Sequence, residues 1–308
     1  MIFINDSEKI DLIKPTAVVI GKFDGVHIGH QALFNKTIEL ARKNDLFATA
    51  FTFDRNLSKN KVLTTSDERK QLAAQYGMDV LIEYPFAEIM SFSPEEFVKN
   101  ILLDRLKAKV IIAGADCGFG KNRSGNAALL KQLGVQYGFD VEILDKIEIN
   151  GIPVSSTYIR NLIEKGNIDE ARCALGDAFL IRGLVVKGNQ LGRTWNFPTI
   201  NMLPAEWKMM PPNGVYASKV NIGGEWYHGV TNIGKKPTID SNNEMISVET
   251  YIFNYSGDLY GKYLDLKLFR FIRPEEKFDS FDDLKNQIEK DSKVAKECLE
   301  MIDSTDEL

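Results

Sequence analysis

The sequence predicts two successive folds: an α/β domain with a parallel, doubly wound sheet, then an antiparallel β-barrel or sandwich that ends in a helix. The chain has 308 residues, and single hydrophobic cores stop growing at about 250–300 residues. In the first half, short apolar runs alternate with stretches of helical periodicity. In the second half, strand-like runs follow one another with turns rich in glycine, proline and asparagine. We therefore expect domains at 1–177 and 178–308.

The first domain contains five β-branched or aromatic runs that are typical of strands. They are Thr16–Gly21, Leu46–Phe53, Met78–Tyr84, Lys109–Gly114 and Phe139–Leu144. Amphipathic helices are predicted over Gln31–Lys43 and Pro94–Leu106, the second after a capping box formed by Ser93 and Glu96. Strands that alternate with helices form a parallel sheet, which binds ligands at the carboxyl ends of its strands.

The second domain contains closely spaced strand candidates. They are Ile181–Lys187, Val215–Ile222, Trp226–Asn232, Ile246–Asn254 and Tyr263–Phe271. Such spacing is typical of an antiparallel barrel or sandwich. A final helix is predicted over Phe281–Met301, and the end of the chain, Asp303–Leu308, is expected to fray.

Charge and composition exclude several classes of protein. The net charge is −5, whereas general nucleic-acid binders carry a basic surplus. The three cysteines are scattered, which predicts neither a disulfide framework nor a cysteine zinc site. The amino terminus lacks the apolar core of a signal peptide, and no apolar run approaches the roughly 18 residues that span a bilayer. We expect a cytoplasmic protein without nucleic-acid or membrane partners; its oligomeric state is left open.

The segment Gly21–His30 is the first candidate site, because it follows a predicted strand and precedes a helix. His27 and His30 are three residues apart, so they share a helix face. The helix N-terminus favours phosphate, and glycines let the backbone approach a ligand. A zinc pair is the alternative, but it lacks partners, since His228 lies in the other predicted domain.

His27-x-Gly29-His30 after a first strand is similar to the signature of the nucleotidyltransferase superfamily. The longer segment Gly21–His30 resembles the amino-terminal half of the bacterial riboflavin kinase/FAD synthetase family. Further matches follow in the family's order at Gly114–Gly120, Arg123–Asn126 and Ser155–Arg160. The resemblance implies a nucleotidyltransferase-like Rossmann domain that transfers the adenylyl group of ATP to FMN and releases pyrophosphate.

The same resemblance implies roles for individual residues of the first domain. His27 and His30 would be the catalytic groups that hold the ATP phosphates, with Asp24 shaping or polarising their site. The residues expected to bind ATP or its phosphates are Gly21, Phe23, Asp24, Gly29, Ser156, Thr157 and Arg160. Asn126 is expected to contact the flavin.

Three departures from the family pattern leave an alternative open. Thr52–Leu57 replaces a Pro-His-Pro-like stretch, and the change is concentrated in Arg55–Leu57. Gly118 and Tyr158 stand where the family usually has arginine. The alternative is a riboflavin kinase whose first domain no longer adenylylates FMN and serves as a scaffold or flavin sensor.

The second candidate site lies in the other domain. Glycines 183, 188 and 192 could cover phosphates, although hairpin turns also explain them and Asn189 stands where a Walker loop needs lysine. Three motifs are informative together: the expected turn Pro198–Asn201, the strand Ser247–Tyr251 around Glu249, and Arg273-x-Glu275. In this order they resemble the family's riboflavin kinase domain, a β-barrel followed by a helix.

This resemblance implies the chemistry of the second site. Thr199 and Asn201 would bind Mg²⁺ and the ATP phosphates, and Glu249 would accept the proton of the riboflavin 5′-hydroxyl. Without the motif, a lone strand glutamate is more typical of a solvated face. Further phosphate contacts are expected from Gly183, Lys187 and Gly188, and flavin contacts from Arg273 and Glu275.

The expected ligands follow from both resemblances: riboflavin, FMN, FAD, ATP and ADP, with Mg²⁺ and no bound redox cofactor. A flavin-binding regulator of nucleic acid is a further alternative from another class. The acidic balance of the chain and the absence of a helix-turn-helix pattern argue against it.

Overall fold

A computed structural model describes residues 1–54, 61–187, 198–237 and 244–306. The chain divides into two compact units. The first comprises Met1–Asn60 and Ser66–Ser156, and the second comprises Lys61–Thr65 and Thr157–Leu308. Among the described residues, no helix combines the length and the apolar composition needed to cross a membrane.

The first unit is built on a six-stranded parallel sheet of order β1-β4-β3-β2-β5-β6. Its strands are β1 (Ile2–Ile4), β2 (Thr16–Ile20), β3 (Phe47–Phe53), β4 (Val80–Tyr84), β5 (Ala108–Gly114) and β6 (Asp140–Leu144). All five predicted strands are confirmed, whereas the three-residue β1 is too short to show a pattern. The chain changes direction across the sheet between β2 and β5, and this is where such sheets bind ligands.

Helices cover both faces of this sheet. They are α1 (Ile28–Lys43), α2 (Ser66–Gln75), α3 (Phe86–Ile89), α4 (Pro94–Glu96) and α5 (Ala127–Tyr137), and Phe97–Arg105 continues α4 in π-helical form. Because side chains alternate along a strand, β2 sends Val18 to one core, and Ala17 and Val19 to the other. The predicted doubly wound architecture is confirmed.

The capping box before α4 is confirmed. The Ser93 hydroxyl accepts from the Glu96 N–H at 3.2 Å, and the Glu96 carboxylate accepts from the Ser93 N–H at 2.8 Å. The continuous α-helix expected over Pro94–Leu106 is wrong in its second part, which has π-helical hydrogen bonds from Phe97 onward. An amphipathic pattern does not distinguish these two helix types over so short a stretch.

The second unit is a closed antiparallel barrel of order β10-β13-β12-β11-β14-β9. Its strands are β9 (Phe179–Val186), β10 (Thr199–Pro204), β11 (Gly214–Ile222), β12 (Glu225–Pro237), β13 (Glu244–Ile252) and β14 (Tyr263–Arg273). The remaining short strands, β7 (Glu148–Ile149) and β8 (Ile152–Pro153), form a hairpin in the first unit. The barrel is thus the correct choice between the two expected all-β architectures. Thr199–Asn201, expected in a turn, instead begins strand β10.

The interior of the barrel contains a chain of polar side chains, and part of its outer face is apolar. The buried hydroxyls of Ser218, Thr231 and Thr250 form a hydrogen-bonded chain inside, at 2.7 and 2.8 Å. The strands' alternate residues, including Ala217 and Val230, pack against the long C-terminal helix. Each buried hydroxyl has a partner, which removes the cost of burying it.

Three helices accompany the barrel in chain order: α6 (Ser156–Glu164), α7 (Ile168–Leu175) and α8 (Phe281–Asp306). The expected fraying of the chain end is wrong from Asp303 to Asp306, which continue α8. The Asp303 carboxylate binds the Lys219 ammonium and lies 2.7 Å from Nε2 of His228. These contacts with two barrel strands hold the end of α8.

A short segment from the first half of the sequence belongs to the second unit. Lys61–Thr65 runs beside residues 207–209, where the Val62 N–H donates to the Trp207 carbonyl at 2.7 Å. The Met209 N–H donates to the Val62 carbonyl at 2.8 Å. The buried Lys208 ammonium donates to the Leu63 carbonyl at 2.6 Å. This pairing joins residues about 145 positions apart, so local sequence patterns do not reveal it.

Candidate active sites

The loop between β2 and α1, residues 21–27, is named the histidine loop, and its backbone is strained. Phe23 and Val26 have φ angles of 46° and 42°, in the left-handed region that residues with a Cβ rarely adopt. The Phe23 ring is fully buried, and a Cβ at position 21 would lie 2.6 Å from it. Gly21 is therefore required by packing against Phe23, and surrounding contacts must hold this loop.

Two imidazoles lie at the start of α1. The rings of His27 and His30 are stacked, with centroids 3.7 Å apart and an interplanar angle of 20°. The Nδ1 atoms of both rings are buried and have no hydrogen-bond partner among the described residues. A Cβ at position 29 would lie 3.2 Å from the His27 ring, so Gly29 makes room for it. Buried polar atoms without partners are uncommon in folded proteins, so these two Nδ1 atoms support a functional role for the histidine pair.

Burial favours the neutral form of both imidazoles. Burial lowers the pKa of His27 to about 4, although the carboxylates of Asp24 and Asp116 act in the opposite direction. Burial also lowers the pKa of His30 well below its usual value, with smaller contributions from His27 and the Arg69 guanidinium. A neutral imidazole can donate one N–H to a phosphate oxygen, and an incoming phosphate would favour its protonation.

Ser156, the first residue of α6, contacts this loop. Its hydroxyl donates to the backbone carbonyl of Asp24 at 2.8 Å, and the Asp24 residue is 3% exposed. Thr157 and Arg160 belong to the second unit, where Arg160 Nη1 donates to the Lys61 carbonyl at 2.7 Å. The structure thus brings Ser156 to the histidine loop, while the phosphate contacts of Thr157 and Arg160 stay predictions.

Asn126 caps helix α5. Its side-chain oxygen accepts from the Leu129 N–H at 2.9 Å, which satisfies one of the free N–H groups at the helix start. The expected flavin contact of Asn126 remains a prediction. Asparagine before an apolar periodic stretch is a common capping signal, and the sequence contained it.

Two of the three departures from the family pattern lie in the described residues. A Cβ at position 118 would lie 2.6 Å from the Arg123 Nε, so the Arg123 guanidinium occupies the space beside Gly118. Tyr158 lies half-buried on α6. The remaining departure, at Arg55–Leu57, lies outside the described residues.

A buried ion pair beneath the histidine loop was missed by sequence reasoning. Arg69 Nε on α2 lies 2.8 Å from Glu83 Oε1 on β4, and the two side chains are 3% and 7% exposed. Arg69 Nη1 also donates to the Lys22 carbonyl at 3.3 Å. The available signal was a glutamate inside the otherwise apolar strand Val80–Tyr84, since charged side chains are rarely buried unless they are paired.

Strand register builds the second site on the outer face of the barrel. Asn201 on β10 lies directly opposite Glu249 on β13, and Glu249 lies opposite Asn232 on β12. Thr199 lies opposite Tyr251, two residues along β13 from Glu249. Directly opposite residues share a sheet face with Cβ atoms about 5 Å apart. Two oxygen-bearing side chains of the Pro-Thr-Ile-Asn motif therefore lie beside the candidate carboxylate.

Asn201, Glu249 and Asn232 form a row across three adjacent strands, and the polar side chains of this row are accessible. Thr199, Asn201 and Glu249 are each half-buried, and the Ser247 hydroxyl donates to Glu249 Oε1 at 3.3 Å. Among the described residues, no group of three or more histidine, cysteine or acidic side chains could hold a metal. Mg²⁺ commonly takes only one or two protein ligands together with substrate phosphates. Thr199 and Asn201 fit that mode of binding, which leaves the Glu249 carboxylate for another role.

Glu275 contacts Asn232 of this row, and Arg273 contacts helix α8. The Glu275 carboxylate accepts from Asn232 Nδ2 at 3.2 Å and from Asn213 Nδ2 at 3.1 Å. A Cβ at position 234 would lie 2.2 Å from Glu275 Oε1. The Glu275 carboxylate therefore needs a glycine at this position to approach Asn232. Arg273 Nη2 binds the buried Asp291 of α8 at 2.8 Å. Their flavin contacts remain predictions.

The glycine-rich segment is only partly described. Gly183 lies within β9, and a Cβ there would lie 2.9 Å from the Leu203 carbonyl, so close strand packing accounts for this glycine. Lys187 is exposed at the end of that strand. Gly188 lies outside the described residues. The phosphate contacts expected of all three stay predictions.

The fold and its two candidate sites define a two-domain enzyme that transfers groups from a nucleotide. The family model described as FAD synthetase matches residues 9–158, and the riboflavin kinase model matches residues 175–299. A bifunctional riboflavin kinase/FMN adenylyltransferase of Buchnera aphidicola subsp. Acyrthosiphon pisum (strain APS) is 37% identical over 90% of this chain and 91% of its own length. The protein of the same name from Escherichia coli (strain K12) is 34% identical over 91% of both chains.

The chain belongs to the bifunctional riboflavin kinase/FMN adenylyltransferase family. This confirms the predicted pair of transferase activities, and the presence of both domains favours it over the kinase-only alternative. A crystal structure from Streptococcus pneumoniae, titled as a macrolide-efflux protein, has the same fold: TM-score 0.84, 32% identity, and coverage of 96% of this chain and 98% of the other.

Proposed function

We propose that the two activities are divided between two functional domains, 1–177 and 178–308. The second phosphorylates riboflavin with ATP to give FMN and ADP, and the first adenylylates FMN with ATP to give FAD and pyrophosphate. The two family matches end at 158 and begin at 175, which supports a boundary close to 177. The observation that carries the proposal is the pairing of Asn201 with Glu249 on adjacent strands.

In the kinase reaction, Glu249 acts as the base. Its carboxylate accepts the proton of the riboflavin 5′-hydroxyl as that oxygen attacks the γ-phosphorus of ATP, and ADP leaves. Thr199 and Asn201, on the same face, hold Mg²⁺ and the phosphates through oxygen atoms. Bound Mg²⁺ neutralises charge on the phosphates. Nearby phosphate contacts come from Gly183, Lys187 and Gly188.

Arg273 and Glu275 position the flavin side of this site. Arg273 holds α8 against the barrel through Asp291, and Glu275 fixes Asn232 next to Glu249. The riboflavin ring then lies beside α8, on the face of the barrel that carries Tyr251. Orientation of the hydroxyl toward ATP is the main contribution such residues make.

In the adenylyl transfer, a phosphate oxygen of FMN attacks the α-phosphorus of ATP and pyrophosphate leaves. His27 and His30 donate N–H groups to phosphate oxygens as charge accumulates there. The N-terminus of α1 lies at the same place and favours anions. Gly21, Phe23 and Gly29 shape the loop, and Asp24 acts on His27. Ser156, Thr157 and Arg160 supply further phosphate contacts, and Asn126 contacts the flavin.

We also infer that the enzyme works in the reducing cytoplasm with small molecules as its partners. All three cysteines, Cys117, Cys173 and Cys298, are free. Free thiols persist in reducing compartments. The acidic balance of the chain supports the absence of a nucleic-acid partner.

Product analysis tests this assignment. The protein is incubated with riboflavin, ATP and Mg²⁺, and flavins are separated by chromatography over time. We expect FMN first and FAD later, with one pyrophosphate released per FAD, and we expect both reactions to stop when Mg²⁺ is removed with a chelator. A reaction that stops at FMN, with oxidised and with reduced flavin, would overturn the assignment of the first domain and leave the kinase alone.

A further inference from the structure

A buried polar network lies beneath the histidine loop. Arg69 is paired with Glu83 through Nε and Oε1 at 2.8 Å, and the Ser66 hydroxyl donates to Glu83 Oε2 at 2.5 Å. Arg69 Nη1 and the Thr52 hydroxyl both donate to the Lys22 carbonyl, at 3.3 and 3.1 Å. Thr52 and Glu83 are directly opposite each other on β3 and β4, so the sheet fixes both.

This network holds the loop at its strained point. The Lys22 carbonyl is part of the peptide bond between Lys22 and Phe23, and Phe23 has a positive φ angle of 46°. The second strained residue, Val26, has its own carbonyl bound by Gln31 Nε2 at 2.9 Å. Each of the two non-glycine residues with positive φ in this loop thus has a carbonyl held by a side chain, either its own or that of the preceding residue. Strained backbone persists only where surrounding contacts over-determine it.

The held residue Phe23 contacts the catalytic imidazoles. Its ring packs edge-on against His30, with centroids 5.3 Å apart, and His30 stacks on His27. Phe23 also packs against Phe34 of α1 at 4.9 Å. A shift of the Lys22 peptide therefore moves Phe23, and a shift of Phe23 moves the imidazole stack.

We propose that Arg69, fixed by Glu83, is a positioning element for adenylyl transfer: it holds the Lys22 carbonyl and so sets where His27 and His30 lie. The inference rests on the proposed function of the histidine site. Arg69 contacts the loop and not the reacting atoms, so it is a positioning residue.

Stability alone does not account for this pair. Replacing a buried ion pair with apolar side chains of similar volume is often neutral or stabilising, so a purely structural pair has no need of charge. Here one arm of the guanidinium is directed away from Glu83, to the backbone carbonyl of Lys22 in the histidine loop. The Arg69 charge also helps to lower the pKa of His30, which places it close to that ring.

The chain offers a matched control pair. Arg42 binds Asp79 with two hydrogen bonds, at 2.6 and 2.9 Å, in the same unit. These side chains are 54% and 26% exposed, and Asp79 accepts from the Ala48 N–H at the amino end of β3. The control pair thus has similar chemistry at the edge of the sheet opposite to the histidine loop.

The experiment compares Arg69→Lys, the apolar double variant Arg69→Met with Glu83→Met, and the control Arg42→Lys. FAD formation from FMN and FMN formation from riboflavin are both measured in each full-length protein. We expect kcat for FAD formation to fall at least about tenfold in the first two, since small misplacements near reacting groups are costly. FMN formation and the Arg42→Lys protein should stay within about twofold of wild type.

The outcomes separate the alternatives. FAD formation within about twofold of wild type in Arg69→Lys, with the protein folded, overturns the positioning role. A kcat that falls only in proportion to the unfolded fraction also overturns it. If the double variant fails to fold, Arg69→Lys decides, together with the near-isosteric Thr52→Val, which removes the other donor to Lys22 and should lower the same kcat. A parallel His27→Ala protein that retains FAD formation shows instead that the histidine site itself was misassigned.

Discussion

The two candidate active sites differ in how their side chains are held. At the histidine site, a loop with two non-glycine residues at positive φ leads into α1, and the buried imidazoles at the start of this helix have Nδ1 atoms that lack partners among the described residues. At the barrel site, strand register places Asn201, Glu249 and Asn232 in a row. Hydrogen bonds from Ser247 to Glu249 and from Asn232 to Glu275 hold members of this row.

The difference shows two ways to pre-organise a phosphate site. Strained backbone and unsatisfied polar atoms cost free energy in the absence of ligand, so the first site depends on contacts beneath it. The second site uses ordinary sheet geometry, and its side chains are only half-buried. We therefore expect substitutions beneath the histidine loop to lower adenylyl transfer even where the changed side chain does not touch a substrate. Near the row Asn201, Glu249 and Asn232, we expect only substitutions of residues that contact the substrates to lower phosphoryl transfer strongly.

The largest expected effect follows from Glu249→Ala. Loss of the base should lower FMN formation by about 10²–10⁴-fold, while conversion of FMN to FAD continues at the wild-type rate because it uses the other site. Both rates are measured on one protein preparation. Glu225→Ala, at the exposed start of β12, is the control. Loss of both activities in folded Glu249→Ala protein would contradict separate sites.

The converse effect is expected from His27→Ala. Removing one donor to the phosphates should lower FAD formation by about 10²-fold or more and leave FMN formation unchanged. His228→Ala is the matched control, since His228 belongs to β12 of the second unit and contacts Asp303 on α8. Unchanged FAD formation in His27→Ala would exclude the paired imidazoles from catalysis.

The pH dependence of stability should distinguish the two units. The pKa of His27 is lowered to about 4 from its usual 6.5, so between these pH values the unfolded chain binds more protons than the folded one. Acidification through this window therefore destabilises the first unit, by about 2 kcal/mol between pH 7 and 5 for this imidazole. The shift of His30 acts in the same direction.

Pulse proteolysis in urea at pH 7 and pH 5, with the fragments of each unit identified, measures this loss. His27→Gln should lose less stability on acidification than wild type. An equal loss in both proteins would show that His27 does not carry the effect.

The smallest expected effect concerns Asn126. Asn126→Ala removes the cap of α5 and should cost about 1 kcal/mol, whereas Asn126→Ser can restore the cap. Thermal unfolding compares the three proteins. If the KM for FMN rises in both variants, Asn126 also contacts the flavin; an unchanged KM limits it to capping.

Sequence reasoning recovered the features that depend on local patterns. Apolar runs located five strands in each unit and missed β1, β7, β8 and β10, and the spacing of His27 and His30 located the first candidate site. It assigned Thr199–Asn201 to a turn, although Thr199, Ile200, Asn201 and Met202 alternate between polar and apolar side chains as strand residues do. The opposition of Asn201 and Glu249 depends on closure of the barrel, which no local pattern contains.

The Arg69–Glu83 pair was hidden for a related reason. Its members lie 14 positions apart, on a helix and a strand, and neither belongs to a recognisable motif. Their importance appears only when burial is known, because the same residues on a surface would contribute little.

The placement of Lys61–Thr65 has a consequence for dissecting the enzyme. A cut between 177 and 178, at the proposed boundary, would leave the second unit without its segment Lys61–Thr65. The isolated C-terminal fragment would expose backbone groups at Trp207 and Met209 that Val62 now satisfies, and would leave the Lys208 ammonium without its Leu63 acceptor. A kinase fragment that behaves poorly on its own would therefore reveal a missing strand partner, rather than a dependence of phosphoryl transfer on the other reaction.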